Sequence, residues 1–249
     1  MVQGGQGAVG RGVRGSMTRS ATPLGNAAPA HPASGRIGIV SIASGDAFRN
    51  SVAPCIESQE KYCRRNGYAN IHFTSFDSRG RPASWGKVLA LQQAIREHPE
   101  LDYFLWIDAD ALITNPFFRL EALCDRLDKA NRSVLVANDG GGNINLGVFM
   151  LRRGAATDLI LENLWKQEHF TNHCWWEGGA VYALYPYIFQ QVVVTRDNNL
   201  FNAFLTGESP WRFGDFVLHF AGLNGDARRV LSELFYRMVT VSEPLLARP

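Results

Sequence analysis

From residue 37 onward the chain alternates short apolar runs with longer stretches whose apolar residues recur every three or four positions. Residues 37–42, Ile-Gly-Ile-Val-Ser-Ile, are a compact apolar run ending in a polar loop over 43–46, the pattern of a first strand. Over 50–66, Val52, Cys55, Ile56, Gln59 and Cys63 fall near one face at helical spacing, and Gly67 is a stop signal. Residues 70–76 alternate as a second strand, which completes a β-α-β unit. Residues 85–97 repeat Val88, Leu91, Gln92 and Ile95 at three and four, a second helix. Tyr103, Phe104, Leu105, Trp106 and Ile107 then form a continuous apolar, aromatic and β-branched run, the signature of a strand buried on both faces.

Beyond it, 116–131 reads as a helix, 133–137 as a short buried strand and 140–142 as a glycine turn. Residues 145–151 read as a strand and 155–168 as an amphipathic helix. A helix over 175–185 is expected to end at Pro186, with a strand at 190–195 and the last strand at 215–220. Alternating strands and helices predict an α/β protein with a mixed sheet. There is no internal repeat.

Residues 1–35 break the pattern. They are rich in Gly, Ala, Ser and Pro, carry Arg11, Arg14 and Arg19, and contain no acid; the first acidic residue of the chain is Asp46. Their isolated apolar residues cannot build a core, so a disordered tail is expected, followed by one domain over 36–249. A secretory leader would need an apolar core segment that this stretch lacks, while its arginine-rich, acid-free composition loosely fits a transit peptide. A net charge of +2 gives no electrostatic reason to invoke nucleic acid, and no apolar segment is long enough to cross a membrane. Cys55, Cys63, Cys124 and Cys174 form no C-x-x-C pair, which argues against a zinc or thioredoxin-like site and for buried free thiols; disulfides stay open.

The chemistry concentrates at the end of the buried strand, where Asp108 and Asp110 follow Ile107 with one small residue between them. Two carboxylates there are costly to desolvate unless a cation or a hydrogen-bond network receives them. In an open α/β sheet the carboxyl ends of the strands are also where ligands bind. A divalent metal gripping a phosphorylated substrate is the economical reading; acids capping a following helix is the bland one. His219, inside an apolar run, is by itself a candidate core residue, but beside an Asp-x-Asp pair an imidazole suits manganese-like metals.

These residues resemble glycosyltransferase family 34, the galactosyl-, mannosyl- and xylosyltransferase group. The resemblance runs over residues 36–223. It rests on Tyr62-Cys63 with Gly67-Tyr68, Trp85-Gly86-Lys87, His98-Pro99, the Trp106-x-Asp108-x-Asp110-Ala111 signature, Asn145-x-Gly147-x-Phe149 with Arg152, and His219-Phe220-Ala221-Gly222. It implies a GT-A-like nucleotide-diphospho-sugar transferase fold, α/β with a mixed, mainly parallel sheet flanked by helices. It also implies a UDP- or GDP-linked sugar donor, a glycan or glycoconjugate acceptor, and transfer of a hexose or pentose with retention.

On matching positions, Asp108, Asp110 and His219 would hold Mn²⁺ (or Mg²⁺). Lys87, Trp85, Asp108, Gly147 and Gly222 would contact the nucleotide sugar, and Asn145 and Glu177 would act at the sugar. One departure stands out: Gly178 follows Glu177 where the family tends to carry Gln. A non-catalytic nucleotide-sugar or glycan-binding relative is therefore the alternative. A haloacid dehalogenase-type phosphohydrolase is disfavoured because the acids do not follow the first strand. Trp175, Trp176 and Trp211 are candidates for a sugar-stacking platform, and Asn198, Asn202 and Asp215 for sugar or loop contacts. The resemblance suggests a Golgi lumenal setting; a soluble or cytoplasmic one stays open because the sequence shows no anchor.

Overall fold

The computed structural model describes residues 36–138, 144–195, 197, 200–207 and 210–247. The expected disordered tail, the glycine turn at 140–142 and Asn198 lie outside the described residues. Strands β1 (Ile37–Ile42), β2 (Ala69–Phe73), β3 (Tyr103–Ile107), β4 (Ala111–Ile113), β5 (Val134–Asn138), β6 (Ile144–Arg152), β7 (Val192–Thr195), β8 (Ala203–Phe204) and β9 (Val217–His219) make two sheets. Helices α1 (Asp46–Asn66), α2 (Gly86–Glu97), α3 (Glu121–Ala130), α4 (Ala155–Trp165), α5 (Trp176–Ile188) and α6 (Gly225–Leu246) surround them.

The large sheet runs β2-β1-β3-β6-β5-β7, and only β6 is antiparallel to its neighbours. The expected mixed, mainly parallel sheet is what forms. Strand periodicity divides the core between its faces. Tyr103, Leu105 and Ile107 of β3 point to the face covered by α1 and α3, with Tyr62, Cys63, Leu123 and Leu127. Phe104 and Trp106 point to the face covered by α2, α4 and α5, with Val88, Leu91, Leu161 and Val181. Because both faces are buried, these strands lack the apolar–polar alternation of a half-exposed sheet.

The second sheet is small, β4-β9-β8, with β4 and β9 antiparallel and β8 and β9 parallel. It continues the chain beyond the carboxyl end of β3. Helix α1 pins it there. Gln59 Nε2 donates to the carbonyls of Asp108 (3.1 Å) and Ala111 (2.9 Å), and Ser58 Oγ accepts from the Ile113 N–H (3.0 Å).

Several expected elements shift. The helix expected over 50–66 starts four residues earlier, at Asp46, and ends at Gly67, whose φ of 74° is the left-handed C-cap. The helix expected over 116–131 shrinks to α3, because Asn115 closes a turn ahead of it, its Oδ1 accepting from the Phe117 N–H (3.0 Å) and its carbonyl from the Phe118 N–H (3.3 Å). Helix α5 runs through Pro186 to Ile188 instead of stopping before it; so near the C-terminus the proline forfeits a single backbone bond. The strand expected over 215–220 is only Val217–His219. Strand β8 and the long helix α6 have no counterpart among the expected elements. Helix α6 lies along α1, where Tyr236 Oη is 2.5 Å from Lys61 Nζ and Glu243 pairs with Arg65. All four cysteines are free thiols; Cys55, Cys63 and Cys124 are buried as expected, while Cys174 is exposed. Among the described residues no helix is long and apolar enough to cross a membrane.

Candidate active site

The site forms at the seam of the two sheets. The antiparallel pairing of β3 with β6 is prolonged by one bond, Asp108 N–H to Gly147 C=O at 2.7 Å, which fixes Asp108 beside the start of β6. The chain then turns, Ala111 N–H bonding Asp108 C=O at 3.0 Å, and Asp110 enters β4. Register places Ala111 opposite His219, and Phe220 N–H bonds the Asp110 carbonyl at 3.0 Å. Residues more than a hundred positions apart thus meet because two three-residue strands pair.

The side chains converge accordingly. His219 Nε2 lies 3.3 Å from Asp110 Oδ1 and 3.8 Å from Asp108 Oδ2. One potential ligand atom from each of Asp108, Asp110 and His219 falls within 4.8 Å of the others. Metal–ligand bonds of about 2.1 Å put adjacent octahedral ligands ~3 Å apart, so these separations need little closure. Two carboxylate oxygens and an imidazole nitrogen are a donor set suited to Mn²⁺ or Mg²⁺. The residues fit such an ion.

Two cations complete the cluster. Lys87 is buried, its Nζ 2.8 Å from Glu177 Oε1, 3.3 Å from Asp108 Oδ1 and 3.0 Å from the Leu146 carbonyl. Trp106 Nε1 also donates to Asp108 Oδ1 (2.7 Å), which leaves Oδ2 turned toward His219. Arg228 Nε sits 3.3 Å from Asp110 Oδ2 and has no hydrogen-bond partner, while its Nη2 donates to the Leu223 carbonyl.

Burial works against every charge here, and the partners decide the outcome. For Lys87, burial is outweighed by Asp108 and Glu177, and the ammonium is held above its ordinary range. For His219, burial is outweighed by the Asp110 hydrogen bond and the two aspartates, and the ring's pKa is raised. Burial pushes the Asp108 carboxyl up against the pull of Lys87 and His219 and prevails. At Asp110 burial is overcome by the His219 hydrogen bond and the charges of His219 and Arg228, and the carboxyl is held below its ordinary range.

A cavity of about 1120 Å³ opens over this cluster and is lined by Lys87, Asp108, Asp110, Asn145, Gly147, Trp175, Trp176, Glu177, Gly178, His219, Gly222 and Arg228, among others. That volume is ample for a nucleotide sugar. Of the nine residues expected to hold the metal, the donor or the sugar, all but one line this cavity. Trp85 does not: it is fully buried, its Nε1 donates to the Thr171 carbonyl (3.3 Å) and its ring stands edge-on to Trp165. Trp211 is also elsewhere, bonded to Thr114 Oγ1 and packed edge-on against Phe235. Asp215 accepts from the Arg212 N–H in a loop.

Glu177 is buried in the first turn of α5 with Oε2 unpartnered. A Cβ on Gly147 would lie 2.1 Å from His219 Cε1, so only glycine lets the imidazole pack on β6. Gly222 has φ 75°, a conformation that favours glycine. A side chain at Gly178 would meet only Trp175 Cβ, at 3.8 Å. Sequence reasoning missed Arg228. A signal existed: Asn224 caps α6 by accepting from the Ala227 N–H, and Leu231, Phe235 and Val239 repeat at helical spacing after it.

The single reversed strand in a mainly parallel sheet, with acids at its carboxyl edge, defines a GT-A-type domain. Comparisons agree. The chain superposes on a glycosyltransferase involved in glycosylation of the PBCV-1 major capsid with a TM-score of 0.65 at 18% identity, covering 79% of this chain and 99% of that one. A bifunctional glycosyltransferase, WbbM, gives a TM-score of 0.52 at 11% identity, covering 89% and 52%. Residues 39–132 match the galactosyl transferase GMA12/MNN10 family.

Among curated relatives, a probable alpha-1,6-mannosyltransferase, MNN10 of Saccharomyces cerevisiae, is 28% identical over 216 residues, 68% of this chain and 54% of that protein. The probable alpha-1,2-galactosyltransferase gmh1 of Schizosaccharomyces pombe is 24% identical over 216 residues, 70% of this chain and 63% of that protein. The chain thus spans less than two thirds of the length of these relatives. The family match over 39–132 and these relatives support glycosyltransferase family 34, the galactosyl transferase GMA12/MNN10 family.

Proposed function

We propose that this chain is a metal-dependent, retaining glycosyltransferase that moves a hexose or pentose from a UDP- or GDP-linked sugar to a glycan acceptor. The observation that carries the reading is the convergence of Asp108, Asp110 and His219 within 4.8 Å at the floor of a large cavity. The names of the relatives, a probable mannosyltransferase and a probable galactosyltransferase, support the reaction class and leave the sugar open between hexoses.

Asp108, Asp110 and His219 would hold Mn²⁺ or Mg²⁺. When bound, such a cation neutralises negative charge on the departing nucleoside diphosphate. Arg228, whose Nε has no hydrogen-bond partner, and the glycine backbone at Gly222 face the same space and would contact the diphosphate. Lys87 ties Asp108 to Glu177, so the ligand-holding carboxylate and the sugar-facing acid keep a fixed relation. Glu177 Oε2 is a free acceptor for a sugar hydroxyl, or for the positive charge that gathers at the anomeric carbon as the leaving group departs. Asn145 stands at the same wall. Trp175 and Trp176 are exposed at the cavity and offer apolar ring faces to an acceptor sugar.

The test is turnover of UDP-galactose, UDP-xylose, UDP-glucose and GDP-mannose, with and without simple glycoside acceptors, in Mn²⁺ and in EDTA. Release of one nucleoside diphosphate that stops in EDTA is expected. Nucleotide binding without turnover of any donor would favour the non-catalytic relative instead.

A further inference from the structure

His219 is held from behind by a chain of hydrogen bonds whose direction is fixed at one end. The Gly147 peptide N–H can only donate, and it lies 2.7 Å from a terminal side-chain atom of Asn145, which must therefore be the carbonyl Oδ1. The same oxygen sits 2.8 Å from the Asn202 side chain, which must present its NH₂ there. The Asn202 carbonyl Oδ1 is thereby turned onto His219 Nδ1 at 3.0 Å. A carbonyl only accepts, so Nδ1 carries a hydrogen. In a neutral ring the lone pair is then on Nε2, the nitrogen that faces Asp110 and Asp108.

No other orientation satisfies the chain. Turning Asn202 over would set two carbonyl oxygens against each other at 2.8 Å; turning Asn145 over to relieve that would set an NH₂ against the Gly147 N–H. Asn202 and His219 are both buried, so water cannot repair a mismatch. The anchoring peptide is held as well: its own carbonyl, Leu146 C=O, accepts from Lys87 Nζ at 3.0 Å, and the next carbonyl, Gly147 C=O, accepts from the Asp108 N–H at 2.7 Å. The imidazole plane is held by stacking on Phe204, centroids 5.6 Å apart.

We propose that Asn202 and Asn145 are positioning residues that preset His219 as the Nδ1–H tautomer and so present Nε2 as a ligand for a divalent cation. This rests on the metal-dependent reading above and adds to it a role for two amides that touch no metal. It also reassigns Asn145, whose Oδ1 is already engaged by two donors and so is not free for the sugar. Outer partners of metal-bound histidines typically matter about 10–100-fold in affinity.

The experiment is titration of the metal-free full chain with Mn²⁺ alone, followed by the electron paramagnetic resonance signal of free Mn²⁺, for wild type, Asn202→Leu and Asn202→Asp. Asn202→Leu is expected to weaken Mn²⁺ binding about 10–100-fold. Asn202→Asp, which still accepts from Nδ1–H but sets an oxygen against Asn145 Oδ1, is expected to recover part of the loss. Nitrogen-15 spectra of labelled histidine, taken at a pH where the ring is neutral, are expected to show the Nδ1–H form in wild type and its loss in Asn202→Leu. Unchanged Mn²⁺ affinity in Asn202→Leu, or an Nε2–H ring in wild type, would overturn the relay while leaving the metal reading intact. A wild-type chain that takes up no Mn²⁺ would overturn both. If Asn202→Leu does not fold, the wild-type ring spectrum decides alone.

Discussion

The two sheets of this protein contribute equally to its site and differ in almost everything else. The large sheet has six strands of four to nine residues, buried by helices on both faces. The small sheet has strands of three, three and two residues, and depends on α1 and α6 to hold it. Asp108, Asn145 and Gly147 come from the end of the large sheet; Asp110, Asn202 and His219 come with the small one. A robust scaffold thus supplies three of these six residues, and a minimal one clipped to its edge supplies the other three. Such an arrangement lets the far half of a site be fixed by few residues, at the expense of making those few residues indispensable.

The largest expected effect is on the seam itself. Asp110→Ala removes a proposed metal ligand and no core packing, and loss of several kcal/mol of transition-state stabilisation corresponds to ~10³-fold or more in kcat. Steady-state turnover across a Mn²⁺ series measures it, and undiminished activity would exclude Asp110 as a ligand. Next comes the packing of the small sheet. Leu218 is fully buried with Cys55, Leu112 and Phe220, and Leu218→Ala should cost about 3 kcal/mol of stability. Hydrogen exchange should then speed up at 111–113 and 217–219 while β1 and β3 stay protected. Uniform acceleration across both sheets would mean that they do not open separately.

The division also sets what could be read from the sequence. The large sheet was legible because its inner strands are apolar runs and β2 alternates, and Asp108 and Asp110 were legible because two acids follow such a run. The β4 and β8 strands were not, since two or three residues carry no periodicity and form only through pairing with β9, which itself was expected as part of a longer run over 215–220. His219 stood out as a lone imidazole in an apolar run, and resemblance added its place beside the two acids. Asn202 was a candidate for sugar or loop contacts, but nothing local tied it to His219, which it meets only where β8 pairs with β9. Trp85 belongs to a recognisable motif, yet its indole fills the core under Trp165, because the motif fixes a sequence position and packing decides where the ring points. Arg228 was lost with the helix that carries it.

Two smaller effects sharpen the contrast. Ser58→Ala would leave the buried Ile113 N–H without its acceptor, at about 1–2 kcal/mol, and loosen β4 from α1. Denaturant unfolding monitors it; a neutral result would mean that α1 does not clip the small sheet. On the large sheet, His72 of β2 has its pKa lowered from 6.5 chiefly by burial, and its Nδ1 is bonded to Ser41 Oγ at 2.8 Å. The unfolded chain therefore takes up this proton first as pH falls. The stability that His72 lends is complete above pH 6.5 and is lost as pH drops toward the folded value. His72→Gln should flatten that loss by only ~1–2 °C in Tm, because the edge strand is half-open to solvent. Melting curves from pH 7.5 to 5 would show it, and an unchanged acid limb would remove His72 as its source.

The most direct test of a donor site straddling the two sheets is a thermal-shift titration of the full chain with UDP and with GDP, each in Mn²⁺ and in EDTA, for wild type and Asp110→Ala. Ligands that bind only the folded state raise Tm. A rise with one nucleotide that requires Mn²⁺ and vanishes in Asp110→Ala is the expected result. A rise that is the same in EDTA, or that survives in Asp110→Ala, would contradict a metal-bridged donor site at this seam.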